Sequence, residues 1–226
     1  MSSPVVLPPL GEPVDELWEV FLEFGERLDV PWTIVGGQMV LLHAVEHGTF
    51  PPQISQDGDV IANIRIKPDA LRIIVALLEE LGFSLEGISP EGLAHRYSRP
   101  GRGAGRHVVI DLLAPEGVGA RADLTTTHPG HTLQVPGGTQ ALSRTERVVV
   151  QIAGRVGEVP RPTLLAAIVA KARACGLPGD PSRHLRDLAL LCACVDDPFS
   201  LCRGANYADL LVKVLVVGVG RWVSSA

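Results

Sequence analysis

A single acidic residue inside a strongly apolar stretch is the firmest constraint on how this chain folds. Residues 108–113 read V-V-I-D-L-L, which is typical of a buried β-strand, and Asp111 is the only charged side chain among them. An isolated carboxylate among apolar groups is very unfavourable unless it is paired or bound to a metal. A strand with one face in a cleft also explains it. We therefore expect this strand to border a cleft, and we favour a functional role for Asp111.

Two further acids enter an earlier predicted strand. In the segment S-Q-D-G-D-V, Asp57 and Asp59 lie two residues apart at the start of the run 57–66, where apolar residues alternate. Alternate residues of a strand point to the same face, so the two carboxylates lie side by side. A cation relieves their repulsion, and carboxylate oxygens suit Mg²⁺. A polar turn before the strand explains the same residues, and this pair alone does not decide between the two interpretations.

A glycine pair joins a short apolar strand, predicted over 32–35, to a helix predicted over 38–46. Gly36 and Gly37 let the backbone approach a ligand closely, and the free N–H groups of a helix N-terminus attract an anion. A purely structural turn is equally typical of this pattern. The glycine pair therefore gains meaning only from the acids that follow it.

The order of the predicted elements indicates an α/β chain in two parts. The 226 residues are 46% hydrophobic and 20% charged, which excludes a disordered, collagen-like or coiled-coil chain. Further strands are predicted over 83–85, 93–98, 107–113, 132–135, 148–153 and 157–160, and further helices over 15–28, 67–81, 163–175, 180–195 and 207–217. We expect a core over 1–155, in which 1–13 form an extended arm, and a helical lobe over 156–226.

Charge and cysteine usage limit the class of protein further. The net charge of −5 argues against binding nucleic acid over the whole surface, but it allows a local basic cleft. The four cysteines lack the C-x-x-C spacing of zinc or redox sites and are expected to be buried thiols. The N-terminal residues lack the pattern of a signal peptide, and no apolar run reaches the length of a membrane span. These features predict a cytoplasmic protein with no membrane partner.

In combination, the glycine turn, the D-x-D strand and the later lone acid resemble the layout of the polymerase-β-like nucleotidyltransferases. The resemblance implies an α/β (α+β) core with a mixed sheet, followed by a helical lobe. It also implies that Asp57, Asp59 and Asp111 hold two Mg²⁺ ions on a nucleoside triphosphate.

A lysine on one predicted helix and a charged motif on the next narrow this resemblance. Lys171 is followed by R-H-L-R-D, in which Arg183 and Asp187 are spaced i, i+4. Taken alone, a solvated lysine and a surface ion pair account for these residues. Together with the upstream acids, residues 30–195 resemble the AbiEii-type nucleotidyltransferases, which include the MenT-type toxins of toxin–antitoxin pairs.

The sequence departs from that family at three positions. Gly37 replaces a frequent serine, Ser55 replaces a frequent threonine, and Leu190 stands where the family has a second acid. The resemblance nevertheless implies catalytic roles for Lys171 and Asp187 beside the three acids. The nucleotide contacts that it implies are Gly36, Gly37, Ser55, Lys171, Arg183 and Arg186.

The implied reaction transfers a nucleoside monophosphate from an NTP to the 3′ end of a tRNA, which blocks translation. A cognate antitoxin is the implied partner. Arginines 96, 99, 102 and 106 favour an RNA acceptor. The alternatives are transfer to a small molecule such as an aminoglycoside, for which an acidic acceptor pocket is expected, and a degenerate fold that binds nucleotide without catalysis. Retention of all three acids and Lys171 weighs against the last.

Overall fold

The computed structural model describes residues 3–197, which form two β-sheets and six helices. The strands are β1 (Val5–Val6), β2 (Trp32–Val35), β3 (Asp57–Ala62), β4 (Ser84–Leu85), β5 (Arg96–Pro100), β6 (His107–Pro115), β7 (Gln134–Val135), β8 (Thr145–Ile152) and β9 (Arg155–Pro162). The helices are α1 (Val14–Arg27), α2 (Gly36–Glu46), α3 (Ala70–Glu80), α4 (Gly138–Ser143), α5 (Leu164–Ala174) and α6 (Ser182–Ala193). The predicted α/β class is confirmed.

The larger sheet is mixed and carries the predicted acids at its centre. Its strands lie in the order β2-β3-β6-β5-β4, and β7 pairs with the end of β6. Strands β3 and β6 are parallel, whereas β2 and β5 run antiparallel to their neighbours. The two central strands are apolar apart from their acids and the exposed His107 at the start of β6, so most of their length is buried on both faces.

The smaller sheet joins the N-terminal arm to the later part of the chain. Strand β1 pairs in parallel with β8, and β8 forms an antiparallel hairpin with β9. The arm predicted over 1–13 therefore contains a strand of this sheet. The predicted division at residue 155 falls beside the turn of this hairpin, and it stays a prediction.

Helix α1 covers the face of the larger sheet that is opposite the acids. Gly58 points to that face because it alternates with Asp57 and Asp59 along β3. A Cβ atom built on Gly58 would lie 2.6 Å from the Phe21 ring and 2.8 Å from a Leu17 methyl group. Only glycine lets α1 pack so closely, and the acid face packs against α2 and α4.

Several predicted boundaries were wrong for local reasons. The strand predicted over 57–66 ends at Ala62, because the Lys67 N–H and the Ile66 N–H both bond to the Asn63 carbonyl in a turn. The apolar residue that prolonged the apparent alternation, Ile66, is 70% exposed. The strand predicted over 93–98 begins only at Arg96. Helix α4 was not predicted, since its sequence G-T-Q-A-L-S is too short for a helical pattern.

The helix predicted over 207–217 lies outside the described residues. Within residues 3–197, no helix combines the length and the apolar character that crossing a membrane requires.

Candidate active site

Strand pairing brings the three predicted acids together on one face of the larger sheet. Asp59 on β3 lies directly opposite Asp111 on β6, and Asp57 precedes Asp59 by two residues on the same face. We call these three residues the carboxylate cluster. The register of two parallel strands therefore produces the arrangement that the sequence predicted.

The glycine pair makes room for this cluster. Gly36 has a positive φ of 66°, and a Cβ atom there would lie 1.7 Å from Asp59 Oδ2. A Cβ atom on Gly37 would lie 2.5 Å from the Ser55 Cβ. Close packing alone therefore requires glycine at both positions, without any ligand. Helix α2 begins at Gly36, two residues earlier than predicted. Contact with a triphosphate stays a prediction for both glycines.

A buried glutamine fixes the segment that leads into the acids. Gln38 is fully buried at the start of α2, and its Oε1 accepts a hydrogen bond of 3.0 Å from the Trp18 indole. Its Nε2 donates to the Ser55 carbonyl oxygen at 2.8 Å. Because both ends of this amide are bonded, Gln38 locks the backbone of residues 55–57 against α1 and α2.

Asp57 lies among hydrogen-bond donors and positive charges. The Ser55 hydroxyl donates to Asp57 Oδ1, and the Arg183 guanidinium donates to the same hydroxyl at 2.5 Å. Burial alone would raise the pKa of Asp57, but the Ser55 hydrogen bond and the Arg183 charge outweigh it and lower the pKa below its usual value. Asp57 is therefore ionised at neutral pH.

Arg96 neutralises the other end of the cluster. It lies on β5 directly opposite Asp111, and its guanidinium donates to both carboxylate oxygens of Asp111, at 2.8 Å from Nε and 2.6 Å from a terminal nitrogen. The same nitrogen lies 3.5 Å from Asp57 Oδ2. A bidentate ion pair between a guanidinium and a carboxylate is strong and has a fixed geometry.

Asp59 is the member of the cluster that lacks a close cation of its own. Burial, together with the charges of Asp57 and Asp111, raises the pKa of Asp59 to about 7. The shift is that of a carboxylate buried beside two others. Three hard oxygen donors on adjacent strands fit divalent Mg²⁺, and binding the ion would remove the repulsion.

The side chains are nevertheless not arranged as a closed metal cage. Asp57 and Asp111 turn toward Arg183 and Arg96. Within residues 3–197, no three His, Cys, Asp or Glu side chains converge on a point that could hold an ion. Metal binding therefore requires these two arginines to withdraw from the carboxylates.

Lys171 and Asp187 form a largely buried ion pair beside the cluster. Lys171 is only 5% exposed on α5, and its Nζ lies 2.7 Å from Asp187 Oδ2 on α6. The i, i+4 pair that would make Arg183 and Asp187 a surface ladder does not form, because Arg183 points to Ser55 instead. The structure thus brings the charged motif of α6 to the acids, as the resemblance implied.

A polar cavity of about 370 Å³ opens beside Asp57. Gly37 at the N-terminus of the 11-residue helix α2 lines it, together with Ser55, Arg183 and Arg186. Backbone N–H groups at a helix N-terminus and two arginines are a suitable environment for phosphate groups. This cavity is the part of the site where a triphosphate fits best.

The arginines that were expected to bind RNA contact other residues. Arg99 and Arg102 form ion pairs with Glu16 of α1, which is buried, and Arg102 also pairs with Glu19. Arg106 donates to the Glu12 carbonyl oxygen. Since α1 covers the face opposite the carboxylate cluster, these three arginines do not line the cleft, and that prediction was wrong for them.

We expect the repulsion within the cluster to appear as a pH-dependent stability effect. Asp59 has a pKa of about 7 in the folded protein and of about 4 when unfolded, so its ionisation destabilises the fold increasingly between those pH values. In EDTA at pH 8, Asp59→Asn should therefore raise the free energy of unfolding by up to about 4 kcal/mol, as measured by urea denaturation.

The gain should shrink markedly at pH 5, where Asp59 is largely protonated in the folded protein. Asp69, which is partly exposed and pairs with Lys67 and Arg72, provides the control. Asp69→Asn should not raise the free energy of unfolding in this pH-dependent way. An Asp59→Asn variant that is no more stable than the wild type at pH 8 would show that the cluster is not strained.

The fold that places this site is that of the nucleotidyltransferases. The chain is similar to the crystal structure of an antigenic nucleotidyltransferase-like protein from Paracoccidioides brasiliensis, with a TM-score of 0.52 and 18% identity over 93% of this chain and 91% of that one. It also matches ANT(2″)-Ia in complex with adenylyl-2″-tobramycin, with a TM-score of 0.49 and 14% identity over 92% of this chain and 98% of that one.

A further match is the lincomycin-bound lincosamide antibiotic adenylyltransferase LnuA, with a TM-score of 0.43 and 13% identity over 80% of this chain and 97% of that one. No protein-family model and no curated protein matches the sequence. The similarity to the Paracoccidioides brasiliensis protein establishes the fold, and the narrower resemblance to AbiEii-type proteins stays a prediction.

Sequence reasoning missed three groups that shape the site. Gln38 reads as an ordinary helix residue, and only its burial reveals its role. Arg96 carried only an expected RNA contact, and its bidentate pairing with Asp111 depends on the register of β5 and β6. His95 and His184 were not singled out, yet both line a second cavity beside the cluster. His184 lies within the R-H-L-R-D segment but was given no role, and no motif marks His95.

Proposed function

We propose that the protein is a metal-dependent nucleotidyltransferase that moves a nucleoside monophosphate from an NTP to an acceptor hydroxyl group. The observation that carries this proposal is the carboxylate cluster, which lies beside a phosphate-sized cavity lined by Ser55, Arg183 and Arg186. The nucleotidyltransferase fold supports the same conclusion.

Each side chain of the site has a role in this reaction. Ser55, Arg183 and Arg186 bind the phosphates that leave as pyrophosphate. Lys171, which Asp187 holds in place, adds positive charge on the other side of the cluster. Two Mg²⁺ ions held by Asp57, Asp59 and Asp111 would stabilise the charge that develops on the reacting phosphate and lower the pKa of the attacking hydroxyl.

The bond changes follow from this arrangement. The hydroxyl oxygen of the acceptor bonds to the α-phosphorus while the bond between that phosphorus and the bridging oxygen breaks, and pyrophosphate leaves. The hydroxyl proton passes to the Asp111 carboxylate, once Arg96 has released it. Withdrawal of Arg96 also places its guanidinium near the incoming phosphates, since it lines the polar cavity.

The tRNA hypothesis and the small-molecule hypothesis differ in the acceptor that they assign to the enzyme. The family resemblance implies the 3′ end of a tRNA, with an antitoxin as partner and growth arrest as the result. Against this, three of the four arginines expected to bind RNA pair with or donate to residues near α1, on the face opposite the cluster. A small-molecule acceptor needs no such basic surface, so the position of these arginines favours a small-molecule acceptor over an RNA.

The test is to incubate the purified protein with each of the four NTPs, radiolabelled at the α-phosphate, together with a deproteinised cell extract. We expect one NTP or a subset to transfer label covalently to an acceptor, only when Mg²⁺ or Mn²⁺ is present. Absence of transfer from all four NTPs in the presence of metal would contradict the proposal.

A further inference from the structure

A second cavity, of about 220 Å³, lies on the other side of the carboxylate cluster from the polar cavity. We call it the apolar cavity, because most of its wall is carbon. Its apolar lining includes Met39, Leu113, Val135, Ala141, Ala170 and Leu177. Asp59 and Asp111 line this cavity, whereas Asp57 lines the polar one, so the two cavities meet at the cluster.

We propose that the apolar cavity receives the acceptor, and that the acceptor is a compact, apolar-bodied small molecule with a free hydroxyl group rather than an RNA. This inference rests on the proposed function. In a displacement at phosphorus, the attacking and leaving oxygens lie on opposite sides of the reacting atom. If pyrophosphate leaves through the polar cavity, the hydroxyl enters from the apolar cavity, where Asp111 takes its proton once Arg96 has withdrawn.

The charges that line the apolar cavity disfavour a polyanion. No arginine lines it among the described residues, and its lysine, Lys171, is already bonded to Asp187 at 2.7 Å. The phosphates of an RNA backbone therefore find no free cation in this cavity. A neutral molecule needs none, and the apolar wall stabilises its carbon skeleton by burying it.

Two histidines, His95 and His184, add polar rings to the wall of this cavity, where they can orient a molecule that bears a hydroxyl group. With about 220 Å³, the cavity is smaller than the sites of drug-sized ligands, which span about 300–1,000 Å³, and this favours a compact acceptor.

The acceptor class is tested by dividing a cell extract into two pools, total RNA freed of small molecules and a protein-free fraction of small molecules. Each pool is incubated with Mg²⁺ and the NTP labelled at the α-phosphate. We expect label in the small-molecule pool, on a product that is resistant to RNase and larger than the free nucleotide by mass spectrometry. Label on RNA alone would overturn the inference while leaving the proposed function intact, and label in neither pool would contradict the proposed function itself.

The cavity assignment is tested by filling it. Ala174 is the last residue of α5, is partly exposed and lines the apolar cavity, so Ala174→Phe should narrow the cavity without disturbing the core. The matched control is Ala104→Phe, at an exposed hairpin turn outside both cavities.

We expect Ala174→Phe to reduce transfer to the labelled small molecule at least tenfold, while the affinity for the NTP, measured by calorimetry with a non-hydrolysable analogue, stays within twofold of wild type. Ala104→Phe should change neither quantity. If Ala174→Phe weakens NTP binding as strongly as it lowers transfer, the cavity holds the nucleoside and the inference is wrong. Unchanged transfer would also overturn it.

Discussion

Replacing Asp57 with asparagine is expected to reduce nucleotidyl transfer at least about a thousandfold, equivalent to about 4 kcal/mol of transition-state stabilisation. Asp57 is ionised, borders the polar cavity and lies closest to Ser55 and Arg183. Asparagine keeps the size of the side chain but removes the negative charge that a divalent cation needs. The rate is measured as release of labelled pyrophosphate in the presence of the acceptor.

The fold should survive this substitution. We expect the circular dichroism spectrum of Asp57→Asn to match that of the wild type. The control is Asp69→Asn, an identical chemical change at an exposed ion pair, which should retain the full rate. A rate for Asp57→Asn within tenfold of wild type would remove Asp57 from the metal site.

Replacing Lys171 with methionine should affect both stability and catalysis. The Lys171–Asp187 pair is largely buried, so removing the lysine leaves a carboxylate without its cation, which costs about 3–5 kcal/mol of folding free energy. Transfer should fall strongly as well, because the site loses a positive charge beside the cluster. Lys171→Arg should not restore full activity, since the planar guanidinium does not fit the space of a compact ammonium group.

A double variant separates these two effects. In Lys171→Met/Asp187→Asn an uncharged amide replaces the carboxylate, so urea denaturation should show most of the lost stability restored, while transfer stays low. If the double variant recovers activity together with stability, Lys171 acts only through the fold. If Lys171→Met alone is as stable and as active as the wild type, the lysine has no role in the site.

The central sheet could be predicted because its strands carry signals that depend on few neighbours. Alternation and apolar runs located β2, β3 and β6, and the spacing of Asp57 and Asp59 placed them on one face. That Asp59 lies opposite Asp111 depends on the register of two strands distant in sequence. The family resemblance supplied this proximity, whereas alternation alone did not.

The surroundings of the acids were less predictable, because they depend on which face each residue occupies. The hairpin arginines read as a basic cleft in sequence, yet α1 lies on the opposite face and offers Glu16 and Glu19 to them. The role of Gln38 depends on its contacts with Trp18 and Ser55, which no local pattern encodes. Long-range packing of this kind decides whether a charged side chain reaches the site or supports the fold.

The most direct test of the account follows the fate of two phosphates of one nucleotide. The preferred NTP is labelled either at the α-phosphate or at the γ-phosphate and incubated with Mg²⁺, the acceptor and either the wild-type protein or Asp57→Asn. The account predicts that the wild type places the α-label on the acceptor and releases the γ-label as pyrophosphate, and that Asp57→Asn does neither. Transfer of the γ-label to the acceptor, or equal transfer of the α-label by both proteins, would contradict it.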